Sequence, residues 1–181
     1  FARSHPHWPR VIQVLPGLSR RSLFLYLNSH QSPLFPRFEV PLYGQSHFAA
    51  DAALTAMLLE AASAYCAGAE GQLGREKVAL FGLKKVQAHH GLLVAGDRFV
   101  ATAAESHALR SALPGVLAVD MESAAVAQVC FDYHIPFAAV RTISDRADDA
   151  AHVDFPLFLA QLAAPYAQGI MVKFLQLLLK K

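Results

Sequence analysis

Two acidic clusters each follow a short apolar run of the kind that forms a buried β-strand. The first cluster is Asp120-Met121-Glu122 and the second is Ser144-Asp145. Ligands of open α/β sheets bind beyond the carboxyl ends of the strands, where both clusters are expected to lie. Carboxylates in such places can bind hydroxyl groups or give a proton to a leaving group. Acids also cap helix N-termini, and the spacing alone leaves that alternative open.

An aromatic residue and a buried cation add to these acids. Phe99 follows a third predicted strand after the turn at Gly96, and Arg141 lies within the apolar run 135–143. A charge in a buried strand needs a partner. An aromatic ring, a carboxylate that binds hydroxyls and an acid that donates a proton are what a nucleoside pocket requires.

Elements that could position these residues alternate along the chain. The apolar runs predict strands at 11–15, 22–27, 77–83, 91–95, 117–119 and 135–143, with a turn at 84–90. Helical spacing and capping residues predict helices at 51–68, 102–113, 120–133 and 154–180. The alternation indicates an α/β domain with helices on both faces of a sheet, in which 135–143 is a central strand.

Three of these elements carry sharper expectations. The helix at 120–133 should bury a stripe of Val126, Val129 and Tyr133, with Ala125 and Cys130 beside it. The last helix should start at the predicted cap Asp154 and be kinked or split at Pro165. The loop 32–45 has three prolines and three aromatic residues, so it should be extended. It could cover a pocket, contact a partner subunit or pack on its own core.

Composition excludes several classes of protein. The 181 residues suit one domain, and the formal charge of +2 is too small to indicate nucleic acid binding. The nine histidines lack the spacing of a zinc site, so no metal is expected. No apolar run reaches the ~18 residues of a membrane span. Isolated cysteines and a start unlike a signal peptide suggest a cytoplasmic protein.

Three motifs resemble one known family. The segments GDRFV (96–100), VDMES (119–123) and VRTISDRAD (140–148) are similar in sequence and spacing to the 5′-methylthioadenosine/S-adenosylhomocysteine nucleosidases, which belong to the nucleoside phosphorylase superfamily. The resemblance extends from about Ser32 to Leu178. It implies a three-layer αβα phosphorylase/hydrolase-like fold with a mixed central sheet, and it implies no cofactor.

The resemblance implies a pocket for a purine nucleoside. Phe99 should stack on adenine, and the backbone of Val100 should hydrogen-bond the purine edge. Glu122 should bind the ribose hydroxyls while Met121 packs against the sugar. Asp120 should bind the substrate with them, although the family commonly has Glu at this position.

The catalytic roles are implied in the same way. Asp145, helped by Ser144, should protonate N7 of adenine as the base leaves, and Arg141 should help to hold the attacking water. Asp145 would have to hold a proton near neutral pH, which requires burial. The expected reaction is hydrolysis of the N-glycosidic bond, as in methionine salvage.

The same resemblance divides the chain and leaves alternatives open. Residues 1–31 match nothing in the family, and 32–181 correspond to the C-terminal portion of one domain, so we expect the N-terminal half to be missing. We therefore expect this chain to be inactive alone. The rival readings are a phosphorolytic purine nucleoside phosphorylase and a non-catalytic nucleoside-binding or dimerising remnant. A homodimer without nucleic acid or membrane partners is implied by resemblance.

Overall fold

Six strands and several helices make up the described part of the chain. The computed structural model describes residues 11–14, 24–27, 40, 43–74, 76–77, 86–97, 99–144 and 158–180. The strands are β1 (Val11–Val14), β2 (Phe24–Leu27), β3 (Gln87–His89), β4 (Leu92–Gly96), β5 (Val116–Asp120) and β6 (Val140–Thr142). The α-helices are α1 (Ala52–Ala67), α2 (Ala69–Leu73), α3 (Ala103–Ala112), α4 (Ser123–Asp132) and α5 (Ala164–Leu178), and a π-helix spans Leu159–Ala163. The predicted α/β class is confirmed.

The strands form two three-stranded sheets. The first has the order β3-β1-β6, with β1 parallel to β3 and antiparallel to β6, so it is mixed as predicted. The second has the order β2-β4-β5 and is entirely parallel. Helix α1 packs against β1 and β3, whereas α4 packs against β2 and β4. Each sheet therefore has its own covering helix.

Local capping residues set the helix starts as the sequence predicted. The side chain of Asp51 accepts a hydrogen bond from the backbone N of Leu54 at 2.8 Å and begins α1. Thr102 and Glu105 form a reciprocal capping box at the start of α3. Each cap satisfies backbone N–H groups that the first helical turn leaves without a partner.

The largest core lies between α1 and the C-terminal helices. Its buried residues include Tyr65 from α1 together with Leu162, Tyr166 and Ile170. Partly buried Val140 packs against the same cluster, which therefore supports β6. The C-terminal helix changes its hydrogen-bond pattern next to the proline: the π-helix ends just before α5, whose first turn contains Pro165. The backbone of Ala163 and Ala164 stays in the right-handed helical region, so the helix continues through this point and is not split as predicted. Proline has no N–H to continue the preceding hydrogen-bond ladder.

Helix α4 buries a different face from the one predicted. Val126, Val129 and Tyr133 are each at least half exposed, and Ala125 is also exposed. The buried positions are instead small residues, namely Ser123, Ala124 and Ala127. Small side chains let α4 approach its sheet closely, and the larger apolar residues remain on its outer side.

Two strand predictions are also corrected. Of the apolar run 135–143, only Val140–Thr142 forms a ladder, and β6 lies at the edge of its sheet among the described strands. The predicted turn at 84–90 contains β3, which pairs with β1. Lys77 has helical backbone, and the rest of the predicted strand at 77–83 lies outside the described residues, as does the predicted cap Asp154.

The described helices fall short of the combined length and apolarity that a membrane-crossing segment requires.

Candidate active site

The carboxyl ends of the three parallel strands β2, β4 and β5 lie side by side in the second sheet. The register pairs Leu27 of β2 with Gly96 of β4, and Ala95 of β4 with Asp120 of β5. The segments that follow β4 and β5 hold Phe99 and Glu122. The sequence placed candidate residues at the ends of adjacent strands, and the register brings these ends together as ligand sites of α/β sheets require.

Arg141 connects the carboxyl ends of these strands to the first sheet. It lies in β6, whose backbone pairs with β1 of the first sheet. Its Nε donates to Oδ2 of Asp120 at 2.5 Å, and its Nη2 donates to Oε2 of Glu122 at 2.6 Å. The expectation that Arg141 needs a partner is confirmed, although its side chain is 36% exposed rather than buried.

Asp120 is the anchored end of this network. Its Oδ1 accepts hydrogen bonds from the backbone N of Ser123 at 3.1 Å and from its Oγ at 2.7 Å. Asp120 thus satisfies the start of α4 with one oxygen and Arg141 with the other. The helix-cap reading is correct for this residue. Sequence reasoning missed Ser123, which the three-residue spacing from Asp120 could have suggested.

Glu122 differs from Asp120 in its hydrogen bonds and its exposure, although both acids lie beside the start of α4. It stands at the N-cap position of α4 but makes no side-chain capping hydrogen bond. Its side chain is 68% exposed, against 9% for Asp120. An exposed ion pair is worth only about 0–1 kcal/mol, so a ligand hydroxyl could replace the bond between Arg141 and Glu122 at small cost. The partly buried bond to Asp120 is harder to break because it leaves a charge without its partner.

The remaining candidates follow β4, β5 and β6 along the chain and differ in exposure. Phe99 is 39% exposed, whereas Val100 is buried against Val94 and Leu109. Met121 is 45% exposed. Ser144 lies two residues beyond β6 and is half-buried. A ring that stacks on a base must be accessible, and a residue that offers only its backbone can bury its side chain.

The acid predicted to protonate the base, Asp145, lies outside the described residues. In the described portion, no group of three His, Cys, Asp or Glu side chains is arranged to hold a metal ion. The described site therefore consists of Arg141, its two carboxylate partners and the aromatic segment after β4.

An aromatic cluster holds the end of the predicted loop against α4. The Tyr43 hydroxyl donates to the carboxylate of Asp132, whose oxygens lie 2.8 and 2.7 Å away, and accepts from Nε2 of Gln128 at 3.1 Å. The hydrogen bond to Asp132 raises the pKa of Tyr43 above its ordinary value. Phe48 and Phe131 pack beside it, with ring centroids 5.2 Å apart. The described end of the loop packs on its own core, and the rest of 32–45 lies outside the described residues.

Comparison with known proteins identifies the family of the chain. The chain matches the phosphorylase superfamily over residues 22–176. It is 44% identical over 90 residues to the 5′-methylthioadenosine/S-adenosylhomocysteine nucleosidase of Haemophilus ducreyi, a match that covers 50% of this chain and 38% of that protein. The chain thus spans about two fifths of the length of the curated relatives it matches.

Solved structures resemble the fold over most of the chain. The 5′-methylthioadenosine/S-adenosylhomocysteine nucleosidase of Neisseria meningitidis, in complex with methylthio-immucillin-A, has a TM-score of 0.68 at 25% identity and covers 91% of this chain and 60% of its own. A futalosine hydrolase mutant of Helicobacter pylori has a TM-score of 0.63 at 21% identity over 94% of this chain and 64% of its own, which bears on the fold alone. With the superfamily match spanning residues 22–176, the chain belongs to the phosphorylase superfamily.

Proposed function

We propose that this chain is part of a purine nucleosidase that hydrolyses the N-glycosidic bond of 5′-methylthioadenosine or S-adenosylhomocysteine and releases adenine. The observation that carries the proposal is the network in which Arg141 joins Asp120 and Glu122 at the edge where parallel strands end. The nucleosidase from Haemophilus ducreyi, 44% identical over 90 residues, supports this substrate class.

The pocket would hold the base and the sugar with different elements. The half-exposed ring of Phe99 stacks on adenine, and the backbone of Val100 hydrogen-bonds its edge. Glu122 accepts hydrogen bonds from the ribose hydroxyls, since its carboxylate is the exposed end of the Arg141 network. Met121 packs against the sugar with its exposed side chain.

The chemistry would be protonation of the leaving base and attack by water. Asp145, helped by Ser144, gives a proton to N7 of adenine as the bond from N9 to C1′ breaks. Water held by Arg141 adds to C1′ and releases a proton to solvent, from which Asp145 is reprotonated, so the products are adenine and a free sugar. General acid catalysis of this kind contributes typically ~10²–10⁴-fold to the rate.

The products of the reaction test this proposal. An active, full-length version of the protein is incubated with 5′-methylthioadenosine with and without phosphate, and the products are separated by chromatography. Adenine with free sugar in both cases supports hydrolysis, whereas sugar 1-phosphate formed only with phosphate contradicts it. Asp145→Asn should abolish adenine release from an active, full-length version while the circular dichroism spectrum is retained. Wild-type turnover in that variant would exclude the role of Asp145.

Binding without turnover would favour the reading of a nucleoside-binding remnant. In that case adenine binds to the chain, as isothermal titration calorimetry can measure, but neither adenine nor sugar is released from the substrate. Absence of any binding of adenine or nucleoside would remove the support for the whole site.

We further propose a cytoplasmic homodimer that acts in methionine salvage. The outer side of α4 supports a subunit contact, because Val126, Val129 and Tyr133 share one helix face and are each at least half exposed. Apolar residues gathered in this way often mark interaction surfaces. Sedimentation velocity tests the proposal: the chain should sediment as a dimer, and Val129→Glu should shift it toward monomer. A wild-type monomer at high concentration would contradict it.

A further inference from the structure

Asp120 has both carboxylate oxygens occupied by the protein itself. Within the described part of the chain, three hydrogen bonds reach it, two from Ser123 and one from Arg141. A carboxylate offers about four lone-pair positions, so most of its capacity is used. Its side chain is 9% exposed, which leaves little surface for a ligand. We infer that Asp120 is a positioning residue, which fixes Arg141 and through it Glu122, and does not itself contact the nucleoside.

The inference rests on the proposed function, in which Arg141 and Glu122 act on the nucleoside. Asp120 is tied to the start of α4 through Ser123, whose side chain is buried. Arg141 comes from the other sheet, so the Asp120 bond to Nε sets where the guanidinium lies relative to the end of β5. The planar guanidinium then directs Nη2 toward Glu122.

The two bonds of Arg141, to Glu122 and to Asp120, differ in how easily a ligand can replace them. The Glu122 end is largely open to solvent and can release Arg141 when ribose hydroxyls arrive. The Asp120 end is shielded and stays fixed. Loss of the Asp120 charge should therefore displace Arg141. A misplacement of about 1 Å in a group that acts on the substrate can lower the reaction rate roughly 10²-fold.

Ligand binding separates positioning from a general loss of structure. Calorimetry with formycin A, an adenosine analogue whose base and ribose are joined by a carbon–carbon bond, is compared with calorimetry with adenine. Asp120→Asn should weaken formycin A binding roughly 10–100-fold and leave adenine binding within about twofold. Asp120→Glu, which keeps the charge, should recover part of the loss. An equal loss for both ligands would overturn the inference, because a merely structural role affects both.

A double-mutant cycle separates positioning from direct contact. If Asp120 acts through Arg141, Asp120→Asn should have almost no further effect on formycin A binding in an Arg141→Gln background. A full additional loss in that background would show that Asp120 contacts the ligand and would overturn the inference. Asp132→Asn is the matched control, since Asp132 is also a hydrogen-bonded carboxylate but bonds Tyr43 instead. It should leave formycin A binding unchanged.

Nuclear magnetic resonance tests the geometry without any ligand. The Nε–H signal of Arg141 should be observable at neutral pH because Asp120 protects it, and Asp120→Asn should broaden or shift it. An unchanged Nε–H signal in that variant would overturn the inference. If the signal changes but the wild-type chain binds no formycin A, the positioning of Arg141 stands and the proposed function fails.

Discussion

Replacing Gly169 with alanine should destabilise the helix pair that supports β6. Gly169 lies in α5 where the helix crosses Tyr65 of α1. A Cβ atom at this position would lie 2.5 Å from Cδ2 of Tyr65 and still closer to Cε2. The Tyr65 ring is 2% exposed and packs on Tyr166 with centroids 5.5 Å apart. The ring therefore has no free space into which it can move.

Two opposing effects determine the size of the change. Overpacking a core costs typically about 1–3 kcal/mol. Alanine in a helix interior is favoured over glycine by about 0.8–1 kcal/mol. Because the Tyr65 ring is enclosed, the clash should outweigh the gain. We expect the Gly169→Ala variant to lose about 1–2 kcal/mol of its free energy of unfolding.

Urea denaturation followed by circular dichroism measures this loss. Gly71→Ala in α2 is the matched control, because no heavy atom of the described residues beyond its chain neighbours and its own helix backbone lies within 4 Å of an added Cβ. That variant should be as stable as wild type or more stable. In a Tyr65→Leu background, the cost of Gly169→Ala should fall below about 0.5 kcal/mol, since the clashing ring is gone. A Gly169→Ala variant as stable as wild type would refute the reasoning.

Three further predictions follow from the caps, the aromatic cluster and the site. Thr102→Ala should lose about 1 kcal/mol of unfolding free energy because the capping box is broken, whereas Thr102→Ser should keep the capping box and the stability. Equal stability of wild type and both variants in urea would contradict the role of this cap. The raised pKa of Tyr43 favours its neutral form in the folded state, so its contribution to stability is complete below its ordinary pKa of 10.0 and is lost as the pH rises through the folded value. The stability difference between wild type and Tyr43→Phe should accordingly be larger at pH 8 than at pH 11, and a difference that grows with pH would exclude this. Glu122→Ala should weaken formycin A binding far more than adenine binding in calorimetry, and equal losses would count against ribose recognition.

Local chemistry made several features predictable. The caps at Asp51 and Thr102 depend on side chains that reach only three residues along the chain. Such interactions are present in the sequence itself, whatever the rest of the chain does.

Features that need a distant partner were predicted poorly. Periodicity correctly placed Val126, Val129 and Tyr133 on one face of α4, but it could not show that the opposite, smaller face packs on the sheet. The strand β3 is only three residues long, so its alternating burial is too short a signal to predict a strand, and its pairing with β1 stabilises it. β-structure depends on its neighbours more than on intrinsic preference.

The candidate site shows the same division. The sequence by itself determined that acids follow strands, that Arg141 lies in an apolar run and that a charge there needs a partner. Only the tertiary structure decided that the partners are Asp120 and Glu122, because the bonds join residues 21 and 19 positions apart on different sheets. It also separated two acids that look alike in sequence: Asp120 is shielded and bound to Ser123, and Glu122 is open to solvent. Burial and hydrogen-bond occupancy are properties of the packed chain. They make Asp120 a support for Arg141 and leave Glu122 for a ligand.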